Sequence, residues 1–102
     1  MSSISTSALM DAVHRAINAT QHIEDSLTSR SGVYRMRQHF VQAHDVAPNA
    51  DPIPLLRSAR NEANFMYPHM IERAKENADC PELNAYGIFC GVLNSIPACS
   101  VK

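Results

Sequence analysis

Five histidines and three cysteines are the side chains of this sequence best suited to hold a metal ion or to act as base and nucleophile. Zinc chemistry on a helix needs ligands one turn apart, as in HxxxH or HExxH. His14, His22, His39, His44 and His69 form neither pair. His14 and His22 lie two turns apart with Asn18 between them, and they read as solvated surface residues. Cys80, Cys90 and Cys99 contain no CxxC pair, and their odd number argues against a disulfide framework. They are expected as reduced thiols packed as small hydrophobes. His69 with one of them would make a base and a nucleophile. Nucleophiles are commonly presented on glycine-rich turns, however, and the chain has only three glycines. Glu72 and Glu76 sit beside Arg73 and Lys75, the pattern of a salt-bridged helix face rather than of paired acid–base carboxylates. No phosphate loop, dinucleotide fingerprint or calcium loop is present. The expectation is a non-enzymatic protein with no catalytic, metal or cofactor-binding residue.

Two other groups of residues point to binding. Arg30, Arg35 and Arg37 fall in a window, residues 26–44, that holds no acid. A helix, a turn with Gly32 and Val33, and a second basic helix would be similar to a helix-turn-helix unit, which reads DNA. Gln38 stands where that unit wants an apolar residue, so a contact with an acidic protein surface is the plainer use of these arginines. The second group is apolar. PELNAYGIFCGVLNSIPAC, residues 81–99, reads as a helix whose apolar arc covers roughly 220°, about twice what a surface helix needs. Gly87 and Gly91 lie in the remaining strip, one turn apart, where another backbone could come close. Ile88, Phe89, Val92 and Ile96 are the predicted protein-interface residues of this helix. Phe65 joins them because it points more than about 70° off the stripe of its own helix.

These groups need helices to position them. Leu9, Val13, Ala16, Ile17, Thr20, Ile23 and Leu27 share an arc of roughly 120°, which predicts a one-sided helix over 8–29, with Ser5 or Ser7 at its start and Gly32 closing its end. Residues 33–46 fit a helix through Val33, Met36, Phe40 and Val41. An alternating strand is the other reading, but it has no second strand to pair with. Three prolines in APNADPIP make residues 47–54 a linker, with Asp51 at the start of the next helix. Leu55, Leu56, Ala59, Ala63, Met66, Tyr67, Met70 and Ala74 keep one phase straight across Pro68. That continuity predicts a single long helix kinked at Pro68, or two nearly collinear pieces. Pro81 suits the first turn of the last helix, and Pro97 ends it.

The predicted fold is therefore all-α: a small bundle of four to five helices in one domain, 1–102, with residues 1–7 as a frayed tail. A chain of 102 residues with nine basic and ten acidic side chains is not built wholesale around nucleic acid or an anionic membrane. The serine-rich start lacks the basic and apolar regions of a secretory signal, and no apolar run reaches the length of a membrane span, so a cytoplasmic protein is expected. The functional expectation is a small regulator that covers an apolar surface on a larger protein, as an antiactivator covers a transcription regulator. It would block that protein's dimerisation or partner binding, and it would itself form a homodimer. DNA binding through residues 26–44 is the alternative.

Overall fold

A computed structural model describes residues 6–23, 31–47, 49–77 and 80–101. Among these there are four α-helices and no strand: α1 Thr6–Ala19, α2 Gly32–Val46, α3 Ile53–Glu76 and α4 Pro81–Asn94, followed by a 3₁₀ turn, Pro97–Cys99. Paired residues show each helix antiparallel to the next. His14 stacks on His44 and Ile17 meets Arg37 between α1 and α2. Arg35 pairs with Glu62 between α2 and α3, and Arg73 with Glu82 between α3 and α4.

The expected stripe of α1 is the buried one: Leu9, Val13, Ala16, Thr20 and Ile23 are all in the core. Its expected length is not observed. The first helix stops at Ala19 instead of running to 29. Thr20 turns its hydroxyl back to the Ala16 carbonyl at 2.7 Å and its amide to Ile17 O at 3.2 Å, and both bonds close the last turn. Helical geometry resumes at His22 and Ile23, and Leu27 lies outside the described residues.

Residues 32–46 form α2, with Ser31 as N-cap accepting from the Tyr34 amide. Gly32 does not close the preceding helix. It opens α2 at a close approach to α3, where a Cβ would overlap the Met66 side chain. The buried side chains of α2 recur at helical spacing: Val33, Met36, Phe40 and Ala43. Phe40 meets Phe89 of α4 with ring centroids 4.7 Å apart. Burying two such rings contributes roughly 1.5–3 kcal/mol each.

Asp51 accepts from the Ile53 amide and starts α3. The helix then runs through Pro68 as one element of 24 residues, burying Leu56, Ala59, Ala63, Met66 and Met70. Tyr86 of α4 donates its hydroxyl to Ala63 O at 2.7 Å, one residue before the carbonyl whose intrahelical donor Pro68 removes. Helix α4 packs on all three other helices and on the terminal turn, where Cys99 is buried. The core is one cluster to which every helix contributes.

Candidate functional site

The apolar circumference of α4 is mostly used by the chain itself. Ala85, Tyr86, Phe89 and Leu93 are buried, and Ile96 follows them into the core. The structure thus places Phe89 and Ile96, two of the predicted interface residues, inside the protein. The sequence wheel cannot see that α4 has neighbours on three sides. Leu83, Cys90 and Val92 pack on the core while remaining half-exposed, and Ile88 is 36% exposed.

Among the described residues a groove of ≈ 350 Å³ lies between α1 and α4, lined by Ala12, Arg15, Ala16 and Ala19 on one side and by Ile88 and Val92 on the other. Beside it α4 presents Gly87 and Gly91, and a Cβ at either position would meet no atom within 4 Å from beyond its own helical backbone among the described residues. The floor is therefore shallow, small-sided and apolar. Arg15 is the charged residue of the lining, and its guanidinium lies 3.1 Å from Asp11 one turn earlier, so the rim is close to neutral. The α1 half of this site was missed in the sequence, although Ala12, Ala16 and Ala19 recur at helical spacing along one edge.

Phe65 is 83% exposed on α3, as its phase requires, while Tyr67 and Ile71, each 41% exposed, lie on other sides of the same helix. Phe65 does not line the groove. The predicted interface residues are thus divided: Ile88 and Val92 at the groove, Phe65 on another element, Phe89 and Ile96 in the core.

The arginines are divided as well. Arg37 is 3% exposed. Its Nε donates to Thr20 Oγ1 at 3.2 Å and its Nη2 to Ile17 O at 3.0 Å, so it caps the end of α1. Arg35 forks onto Glu62, with Nε at 2.9 Å and Nη2 at 3.1 Å from the two carboxylate oxygens, which holds its pKa above the ordinary value. Arg30 lies outside the described residues. A cationic surface made by the three together is not what these positions form.

The residues able to do acid–base or thiol chemistry are scattered. Cys80 sits half-exposed at the start of α4, where the amides of Leu83 and Glu82 and the Arg73 guanidinium, 3.5 Å away, lower its pKa. Burial pushes the Cys90 and Cys99 thiols up. Burial also lowers His39, whose Nδ1 is enclosed with no hydrogen-bond partner among the described residues. Among the described residues no three His, Cys, Asp or Glu side chains group to hold a metal, and no helix is long and apolar enough to cross a membrane. No family pattern, curated protein or solved structure matches this chain.

Proposed function

We propose that this chain is a non-enzymatic interaction protein that receives a helix of a larger protein in the groove between α1 and α4. The observation that carries this reading is the groove itself, with Ile88 and Val92 on its wall and two open glycines beside it. Small floors let a guest backbone approach closely, and an apolar wall supplies affinity without charge. The mechanism is steric. A helix that the target needs for its own dimerisation or partner binding would be covered, as in an antiactivator acting on a transcription regulator. The alternative of DNA binding through residues 26–44 has less support, because Arg37 is buried and Arg35 is held by Glu62.

The test is capture from the native host with tagged parent protein and with Ile88→Asp, read by mass spectrometry. Ile88 is exposed enough for the substitution to leave circular dichroism and cooperative unfolding unchanged. A partner captured by the parent and lost with Ile88→Asp is the expected result. A partner held equally by both proteins, or capture that falls steeply with salt as phosphate contacts do, removes the reading.

A further inference from the structure

We propose that His39, Glu62 and Arg35 form an acid-sensitive latch across the seam of α2 and α3: a proton taken up at the enclosed Nδ1 of His39 draws the Glu62 carboxylate off the Arg35 fork. The latch is separate from the groove, which none of the three residues lines.

Register places the three together. Gly32 of α2 meets Met66 of α3, and Arg35 meets Glu62. The two helices run antiparallel, so each turn forward on α2 is a turn back on α3. His39, one turn beyond Arg35, therefore stands level with the turn of α3 from Ser58 to Glu62. Like Arg35 and Glu62 it is half-buried, at the edge of the seam rather than in its core. Ser58 carries no charge and donates its hydroxyl back to Pro54 O at 3.2 Å. Among the described residues the charged groups that act on the His39 ring are Glu62 from α3 and Arg35 from its own helix. Helices α1 and α4 also pack on α2 and bring none that does.

The state of Nδ1 makes this cluster a switch. That atom is shut from solvent and has no partner among the described residues. An enclosed N–H without an acceptor is worse tolerated than an enclosed lone pair, so the neutral ring keeps its proton on Nε2. Acid then adds its proton at Nδ1, and a charged donor in that enclosed place needs an acceptor. Glu62 is the carboxylate that acts on the ring, but Arg35 holds both its oxygens, Oε2 by Nε at 2.9 Å and Oε1 by Nη2 at 3.1 Å. Turning toward Nδ1 lengthens at least one of these bonds. The proton passes from solvent to His39, no covalent bond between heavy atoms changes, and the three side chains go from no net charge to a net positive one. Burial keeps the ring neutral until the pH falls below the ordinary value of 6.5, so the latch is closed at neutral pH and opens in mild acid.

NMR of the full chain between about pH 8 and pH 5 tests this, following the His39 ring protons and the Arg35 Nε–H shift together. Both are expected to move with one midpoint, below 6.5, while the backbone amides of α1 and α4 stay in place. In Glu62→Gln the ring midpoint falls, because the attracting carboxylate is gone. In Arg35→Met it rises, because the competing cation is gone. In His39→Leu the Arg35 shift holds still across the same range. An Arg35 shift that ignores the ring's titration overturns the proposal, since burial alone moves the ring and leaves the fork intact. So does an Arg35 shift that still moves in His39→Leu, or a ring midpoint that Glu62→Gln leaves unchanged. Unfolding of the whole chain at the ring's midpoint overturns it as well, because the latch opens locally. Capture of a partner through the groove fails or succeeds independently of these outcomes.

Discussion

Arg37→Met separates a structural arginine from a ligand-binding one. Methionine keeps the aliphatic stem and removes the guanidinium, which bonds Thr20 Oγ1 and Ile17 O in a site only 3% exposed. A hydrogen bond to a charged group contributes about 1.5–3 kcal/mol. Two losses do not simply add here, because each acceptor keeps another partner. The Thr20 hydroxyl still donates to Ala16 O, and Ile17 O still accepts from the Thr20 amide. No buried group of these two is orphaned. The α1 terminus does lose a cation, worth roughly 0.3–1 kcal/mol. The net cost is about 2–3 kcal/mol, which lowers the melting temperature by roughly 10–20 °C in a domain of this size. Arg35→Met, by contrast, breaks a partly exposed pair with Glu62 and costs no more than about 1 kcal/mol. Urea unfolding followed by circular dichroism measures both, and unchanged slopes make the midpoints comparable. If Arg37→Met unfolds at the parental midpoint, the guanidinium is not seated at the end of α1. Equal losses for the two variants refute the reasoning just as directly.

Three further outcomes follow from the same geometry. Iodoacetamide near neutral pH modifies Cys80 first, because the α4 amides and Arg73 favour its thiolate while burial raises Cys90 and Cys99; peptide mapping that finds Cys99 modified as fast as Cys80 contradicts this. Burial lowers His39 from 6.5 in the folded state, so the unfolded chain binds its proton more readily, and stability present above about pH 6.5 is lost as pH falls through the folded value. His39→Leu also removes an unpartnered buried nitrogen, and should raise the urea midpoint more at roughly pH 5 than at pH 8; an equal effect at both excludes the titration. Tyr86→Phe removes the bond to Ala63 O and costs about 1 kcal/mol by the same assay, with no change in the helical signal.

Periodicity carried most of the fold. The stripe from Leu9 to Ile23 keeps its phase through the break after Ala19, and the stripe from Leu56 to Met70 keeps it through Pro68. In both cases the core reads only which side each residue faces. The break itself was not legible, because its cause comes partly from another helix: Arg37 bonds Ile17 O from twenty residues away in sequence. Gly32 shows the same limit. Its type suggested a left-handed helix end, while its role is to let Met66 approach, and that neighbour lies far along the chain. The helix–strand ambiguity of residues 33–46 ended with packing, since Val33, Met36, Phe40 and Ala43 share one covered face only as a helix.

The same limit governs α4, where the sequence overstated the surplus. A wheel counts apolar residues and assumes one covered side, but α4 is covered from three. What remains exposed is distinguished less by greasiness than by small size. Gly87 and Gly91 are exposed helix positions where a Cβ meets no other part of the described residues, so nothing among those residues requires them to be glycine. Alanine at both would stabilise the isolated helix by roughly 1 kcal/mol each. Gly87→Ala/Gly91→Ala should therefore raise the urea midpoint by an amount worth about 2 kcal/mol in dilute solution. The same variant should weaken capture of the partner, because the added methyl groups occupy space beside the groove that a guest backbone approaches. A variant that gains stability and captures the partner as well as the parent would show that these glycines serve neither the fold nor the face.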